Sequence, residues 1–179
     1  MENLILDCES VLESLLLKIN HKDCKTLGEL FIKDKNSNKI LIRKDEIKRL
    51  GYTFNNRLTK SDKNLNEIKG IYMFGSIDEV DKIEPIYIGI SGTILRRIRQ
   101  HCWGKYHSEA TLAYLMTSSD LNHQGRRDQL SYSELELRQV VIRNFKVAFF
   151  PLQDDYSLYF MEVYIAGRLK IKWNSFRTH

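Results

Sequence analysis

The order of β-prone and helical segments in the second part of the chain constrains most strongly what this chain can fold into. Two short β-prone runs, residues 70–74 and 85–90, precede a run of good helix formers at residues 93–102. A helical middle region leads to a third β-prone run at residues 146–152 and a helical pattern at residues 154–167. This order predicts an α+β domain whose helices pack on a small central sheet.

Residues 1–69 differ from the rest, and we predict that they form an N-terminal α/β extension. Apolar residues recur at helical spacing from Leu4 to Ile19, which predicts an amphipathic helix. Two β-prone runs flank a polar turn, a helix is expected at residues 44–50, and the polar residues 55–69 are expected to form a connector. Because basic residues cluster in this extension, we predict that it contacts DNA or a second subunit.

The chain carries a net charge of +5, and two stretches contain basic residues but no acid. These stretches, residues 91–107 and 168–179, are suited to follow the phosphates of a nucleic acid. Two solvent-exposed protein surfaces would also explain these basic stretches, and that is the commoner case. The candidate DNA-contact residues within them are Arg96, Arg99, Lys105 and Lys172. The region of His107, His123, Arg126 and Arg127 is expected to add contacts.

Cysteine usage and the N-terminal sequence indicate the compartment. Cys8, Cys24 and Cys102 are far apart and lack the close spacing of a zinc ribbon or a disulfide framework. The N-terminus lacks a basic region followed by a long apolar run, so no signal peptide is predicted. The longest apolar stretches fall short of a membrane span. We therefore expect a soluble, cytoplasmic protein that has no membrane partner.

Glu162 is the only charged residue between Ser157 and Gly167. On a helix it would lie beside the apolar stripe of Leu158, Met161 and Ile165. A carboxylate at the margin of a buried face needs a partner, because burying an unpaired charge is costly. A metal ion or an arginine would serve. For this segment alone, a boundary glutamate in an internal ion pair is the commoner explanation.

Four further residues are candidates for chemistry. Arg97 and His101 are four residues apart and share one face of a predicted helix, where a guanidinium and an imidazole are suited to hold a phosphate. The ordinary alternative is a solvated helix face. Tyr72 and Tyr87 lie in short β-prone runs, where a tyrosine is usually a packing residue.

The joint pattern of these residues resembles the GIY-YIG nuclease family. Gly70-Ile71-Tyr72 and Tyr87-Ile88-Gly89 match the two tripeptides that name the family. Its members carry an arginine ten residues after the second tyrosine, a histidine or tyrosine four residues later, a glutamate on a later helix and then an asparagine. The resemblance covers residues 70–179 and assigns catalytic positions to Tyr72, Tyr87, Arg97, His101, Glu162 and Asn174.

This resemblance implies the GIY-YIG fold, with a small three-stranded antiparallel central sheet flanked by helices. It implies a metal-dependent endonuclease that hydrolyses phosphodiester bonds of double-stranded DNA, with one Mg²⁺ ion, replaceable by Mn²⁺, on Glu162. Arg97 is expected to neutralise the phosphate. Tyr72 is the expected general base, once Arg97 or the metal has lowered its pKa. Tyr87 and His101 are expected to position the phosphate and assist proton movement, and Asn174 to fix local geometry.

Two departures from the compact members of the family bear on the branch. Fourteen residues separate Tyr72 from Tyr87, and about sixty separate His101 from Glu162. Longer spacings of this kind resemble the restriction-endonuclease branch, so a restriction or defence enzyme, acting as a monomer or a homodimer, is the first hypothesis. The alternatives are a structure-selective repair or recombination nuclease and a non-catalytic DNA-binding module on the same fold.

Overall fold

A computed structural model describes residues 2–50, 68–106, 108–122 and 129–174 of the chain. Six helices and two antiparallel sheets lie in these ranges. In chain order the elements are α1 (Glu2–Ile19), a 3₁₀ turn (Gly28–Leu30), β1 (Phe31–Lys33), β2 (Ile40–Ile42), α2 (Lys44–Arg49), β3 (Gly70–Ile77), β4 (Ile83–Ser91), α3 (Ile94–Trp103), α4 (Thr111–Asp120), α5 (Tyr132–Ile142), β5 (Lys146–Pro151) and α6 (Asp155–Leu169). The mixed α+β class that the sequence predicts is therefore confirmed.

The central sheet has three antiparallel strands in the order β4-β3-β5. All three predicted β-prone runs of the second part of the chain are members of it. The β3–β4 hairpin is longer than predicted, because Ser76 and Ile77 continue β3 and pair with Glu84 and Ile83. A register shift at Phe74 and Gly75 lets the hairpin continue past Pro85.

Helices cover both faces of this sheet. On one face, Tyr72, Phe74, Tyr87, Val147 and Phe149 pack against α3, α4 and α5. On the other face, apolar residues of the same strands pack against α1 and α6; they include Ile71, Met73, Ile88 and Ala148. A period of two along each strand produces this division, because successive side chains point to opposite faces.

The N-terminal extension is not a separate packing unit within the described residues. The buried side chains Leu15 and Ile19 of α1 belong to the core that contains α6. Leu27, Leu30 and Ile47 belong to the core that contains α3. The start of the predicted first strand is a 3₁₀ turn, in which Phe31 donates its N–H to the Gly28 carbonyl, and Gly28 donates its own N–H to the carbonyl of Arg143.

The ends of two helices have identifiable causes. The N-terminus of α5 carries a capping box, in which Ser131 and Glu134 satisfy each other's backbone N–H groups. Helix α6 begins after Asp154, whose carboxylate accepts a hydrogen bond of 2.7 Å from the Ser157 N–H. We expected α6 to end at Gly167, which was wrong: the helix continues to Leu169, and Lys170 adopts the left-handed conformation that ends it.

Some expectations fall outside the described residues. They are most of the connector at residues 55–69 and the added DNA contacts of His107, His123, Arg126 and Arg127. No helix within the described ranges is both long enough and apolar enough to cross a membrane.

Candidate active site

The β3–β4 hairpin places the two tyrosine-containing tripeptides opposite each other. Tyr72 pairs with Gly89, and Phe74 pairs with Tyr87. The Tyr72 ring crosses directly over Gly89, so that a Cβ atom added at Gly89 would lie 2.6 Å from the Tyr72 hydroxyl oxygen. Gly70 is similarly confined, since a Cβ atom there would lie 2.1 Å from the Phe150 carbonyl oxygen. Both glycines are therefore needed for close approach of the strands.

Three aromatic rings surround Tyr72, namely those of Phe74, Tyr87 and His101. Its hydroxyl oxygen lies 3.1 Å from Nε2 of His101, in a hydrogen bond buried between β3 and α3. The centroid of the Tyr87 ring lies 5.2 Å from the His101 ring and 6.2 Å from the Tyr72 ring. Phe74 stacks on Tyr87 at 5.4 Å. The sequence predicts that one concave surface gathers the six candidate residues Tyr72, Tyr87, Arg97, His101, Glu162 and Asn174. Of these, the rings of Tyr72, Tyr87 and His101 lie in contact.

Burial decides the protonation state of both phenols. Tyr72 is only 1% exposed, and its desolvation raises its pKa well above the ordinary value, with Tyr87 adding to the effect. The pKa of Tyr87 is also raised by burial. The Arg97 charge lowers both pKa values, but desolvation is the larger effect. In the ligand-free protein Tyr72 is therefore a neutral phenol, since Arg97 acts in the expected direction but does not by itself bring the pKa below its usual value; lowering by a metal stays a prediction.

Arg97 is held by the loop between α3 and α4. Its Nη1 donates to the carbonyl oxygens of Ser108 and Glu109, at 3.0 and 3.1 Å. Its Nη2 donates to Oγ1 of Thr111 at 2.8 Å. A guanidinium has five N–H donors, and Arg97 also hydrogen-bonds the Tyr72 and Tyr87 phenols, so its plane is fixed between the α3–α4 loop and the two tyrosines.

His101 is fully buried and neutral. Burial, and then the nearby Arg97 charge, lower its pKa well below the ordinary value. Its Nδ1 atom has no hydrogen-bond partner among the described residues, although Nε2 is bonded to Tyr72. A neutral imidazole in this position is able to accept the phenolic proton of Tyr72.

Glu162 lies on α6, which packs on the other face of the sheet and against the edge strand β4. Its carboxylate is close enough to Tyr87 to raise the pKa of that phenol. Burial raises the pKa of Glu162 itself to about 7. No described residue forms a hydrogen bond or an ion pair with this carboxylate, so the internal ion pair that was the ordinary alternative is not found in the described part of the chain. Glu162 is therefore a half-buried carboxylate without a cationic partner among the residues that the structure describes.

This donor chemistry fits a hard divalent cation. Within the ranges described, no cluster of three or more His, Cys, Asp and Glu side chains is arranged to hold a metal. A Mg²⁺ ion at Glu162 would therefore have one protein carboxylate, and Mg²⁺ commonly keeps water on its other positions. A cation there would also offset the cost of keeping Glu162 ionised in a desolvated position.

Asn174 closes the outer edge of β4. Its side-chain oxygen accepts a hydrogen bond of 2.9 Å from the Ile88 N–H, and its side-chain nitrogen donates one of 2.8 Å to the Ile88 carbonyl. Trp173 donates its N–H to the Ile86 carbonyl at 3.2 Å. The Asn174 amide therefore bonds both backbone groups of Ile88 and the Trp173 backbone bonds Ile86, so the two residues that flank Tyr87 are held from the edge of β4.

The candidate DNA-contact residues are all exposed. Arg96 and Arg99 lie on the outward side of α3, and Lys105 follows the end of that helix. Lys172 follows α6 and places its ammonium group 4.8 Å from the centroid of the Trp173 ring. Three of the four candidates are thus grouped around the helix that carries Arg97 and His101.

Comparisons with protein-family models, with curated proteins and with solved structures give no match for this chain. The site must therefore be interpreted from its own geometry. Two of its parts escaped the sequence analysis, namely the Ser108–Thr111 acceptors that hold Arg97 and the unbonded Nδ1 of His101. No spacing of residues in the sequence predicts either part, because both depend on how the α3–α4 loop folds back.

Proposed function

We propose that this chain is a metal-dependent DNA endonuclease of the GIY-YIG type, acting in restriction or defence. The observation that carries the proposal is the convergence of two unlike charges, Arg97 and Glu162, on the Tyr87 phenol. Arg97 and Glu162 lie on helices on opposite faces of the sheet, yet both act on Tyr87. A phosphodiester and a cation bound between them would each meet the opposite charge.

In this proposal Arg97 binds the phosphate. The guanidinium would contact a non-bridging phosphate oxygen, and its plane, which the hydrogen bonds to the α3–α4 loop fix, avoids reorganisation on binding. Exposed basic residues on the same helix, Arg96 and Arg99, would contact neighbouring phosphates of double-stranded DNA.

In this proposal Tyr72 and His101 transfer the proton. Because the Tyr72 phenol is neutral at rest, it would accept a proton from water only while passing its own proton to Nε2 of His101. The resulting imidazolium is disfavoured by burial and by Arg97. A phosphate on Arg97 offsets that charge, which would link proton transfer to the presence of substrate. When bound at Glu162, Mg²⁺ or Mn²⁺ supplies Lewis-acid stabilisation of charge on the phosphate and the leaving oxygen.

The proposal also includes a cellular compartment and an oligomeric state. All three cysteines are free and buried, which fits the reducing cytoplasm as the place of action. A homodimer would bring two sites to one duplex, so that both strands are cut in one encounter.

A nicking assay on supercoiled plasmid tests the proposal. The wild-type protein should cut in Mg²⁺ and not in excess EDTA. Glu162→Gln keeps the shape of the side chain but removes its charge, so cleavage should fall by about 10²-fold or more while DNA binding is retained. Arg97→Ala should lower both cleavage and binding. Glu136→Gln, an isosteric change at an exposed position on α5, is the control and should cut normally.

The assay also separates the alternatives. Tight DNA binding by a wild-type protein that makes no cut in any divalent metal would favour the non-catalytic module and contradict the proposal. Mapping the cut ends distinguishes a restriction enzyme, which cuts at fixed sequences, from a repair or recombination nuclease, which cuts at particular DNA structures.

A further inference from the structure

Gln139 is a buried polar residue that has no part in the proposed reaction. It lies on α5 and is only 1% exposed. Its side-chain nitrogen donates a hydrogen bond of 2.7 Å to the Gly104 carbonyl oxygen, and this bond is buried. The bond holds that carbonyl in place, because a buried oxygen without a donor would carry the full cost of desolvation. Gln139 therefore fixes the point at which α3 ends and the α3–α4 loop begins.

Gly104 is in direct contact with the far end of the same loop. A Cβ atom at Gly104 would lie 2.6 Å from the Glu109 Cβ atom and 2.5 Å from the Gln100 carbonyl oxygen. The Glu109 carboxylate accepts hydrogen bonds from the Lys105 N–H at 3.2 Å and from the Gln100 side chain at 3.4 Å. The end of the loop is therefore packed on its own start, and the position of Gly104 sets the position of Glu109.

Glu109 completes the connection to the candidate active site. Its carbonyl oxygen and that of Ser108 accept hydrogen bonds from Nη1 of Arg97, and Oγ1 of Thr111 accepts the bond from Nη2. All three acceptors belong to residues 108–111, so a displacement of this short segment would turn the guanidinium. The orientation of that plane decides how well a guanidinium holds two phosphate oxygens, and small errors in such positioning lower reaction rates strongly.

We propose that Gln139 is a positioning residue for Arg97, on which it acts through Gly104 and the α3–α4 loop. That Arg97 then binds a phosphate rests on the proposed nuclease function, whereas the rigidity of its side chain does not. Arg143, one turn further along α5, donates a hydrogen bond of 2.9 Å to the Cys102 carbonyl, so α5 holds the end of α3 at two points. The Gln139 bond is the one that ends on the residue packed against Glu109.

Carbon-detected NMR of arginine side chains in the full chain tests the proposal without using activity. The hydrogen bonds to the loop should slow rotation of the Arg97 guanidinium, so its two Nη nitrogens should give separate signals, identified by their absence in Arg97→Ala. Gln139→Met removes the donor, so the two signals should merge. Arg143→Met removes the neighbouring bond between α5 and α3 and is the matched control, in which the signals should stay separate. Separate signals in Gln139→Met, or merging in both variants alike, would overturn the proposal.

Gln139→Glu has the shape of the natural side chain and serves if Gln139→Met does not fold. Burial raises the pKa of a carboxyl group, so at about pH 6 the new group is protonated and its O–H donates to the Gly104 carbonyl. The Nη signals of Arg97 should then be separate, and they should merge as the carboxyl ionises at higher pH, which its own carbon shift reports. Merged signals while the carboxyl is protonated, or separate signals after it has ionised, would contradict the positioning role.

DNA binding in excess EDTA, measured by fluorescence anisotropy, tests what this positioning does for the proposed site. Gln139→Met should weaken binding by about threefold to tenfold in the wild-type background and by nothing further in Arg97→Ala, because the group that it positions is then absent. An equal loss in both backgrounds would give Gln139 a general structural role and overturn the proposal. A wild-type chain that neither binds nor cuts DNA would refute the nuclease function, and the NMR result would still decide whether Gln139 positions Arg97.

Discussion

Gly89 and the Tyr72 ring share one small volume across the β3–β4 hairpin. Gly89→Ala would place a methyl group 2.6 Å from the Tyr72 hydroxyl oxygen, so the ring must move and its hydrogen bond with His101 must break. We expect the free energy of unfolding to fall by about 1–3 kcal/mol. Gly92→Ala is the control, because a Cβ atom there meets nothing within 4 Å. Urea unfolding of both variants measures the difference, and equal stabilities would mean that Tyr72 is not confined.

The burial of neutral His101 predicts a pH effect on stability. Its pKa is depressed in the folded protein, whereas the unfolded chain binds a proton with the ordinary pKa of about 6.5. Below that pH the unfolded chain binds more protons than the folded protein. The free energy of unfolding therefore falls by up to about 1.4 kcal/mol for each pH unit. Tyr72, Tyr87 and Arg97 face the imidazole, and none of them relieves this loss: both phenols stay neutral and the guanidinium is a cation.

His101→Gln isolates this effect, because glutamine keeps a hydrogen-bonding group but does not titrate. The pKa of Glu162, raised to about 7, acts in the opposite direction, since stability from that group is lost as pH rises from the unfolded value towards 7. Glu162 is present in both proteins, so its contribution cancels in the comparison. The stability of the wild type relative to His101→Gln should decline below about pH 6.5. A difference that is constant from pH 7.5 to about 5 would contradict it.

The end of α6 depends on an uncommon residue in the left-handed conformation. Three other non-glycine residues with positive φ are Asn38, Asp81 and Asn122, whose side chains tolerate it, but Lys170 has no such advantage at φ 51°. Lys170→Gly should raise the free energy of unfolding by about 1 kcal/mol. Lys170→Ala is the control, since it removes the charge but keeps the Cβ atom, and it should bring no gain. A gain in thermal stability from both variants would indicate the lysine charge as the cause.

The elements that the sequence predicted well share a local cause. The three central strands and helices α3 and α6 have their own periodic patterns, and the tyrosine tripeptides mark the hairpin. The ends were less predictable: Gly167 is a common helix terminator, yet the helix passes through it because Leu169 still packs on the core around α1 and α6. At the site, the spacing of Arg97 and His101 predicted that they share a helix face. The acceptors that hold Arg97 and the burial of Tyr72 depend on tertiary packing, so residue spacing did not predict them.

The two-sided core makes α1 part of the same cooperative unit as the central sheet. Leu15 of α1 is fully buried with Met73 of β3 and Ile165 of α6. Leu15→Ala should therefore lower the free energy of unfolding by about 2–5 kcal/mol, in a single transition seen alike by fluorescence and circular dichroism. Leu17→Ala, at a position that is 75% exposed, should change it by less than about 0.5 kcal/mol. Two separate transitions would show that the extension folds independently.

One asparagine has a consequence for how the chain behaves before it is complete. Strand β4 lies at the edge of the sheet, and its Ile88 backbone groups are satisfied by Asn174, 86 residues further along. While a ribosome is still synthesising the intervening residues, that edge offers unpaired N–H and C=O groups to any other strand. Crowded nascent chains would be drawn together there. Once Asn174 has been synthesised, its amide pairs with both Ile88 groups and withdraws them from pairing with another strand.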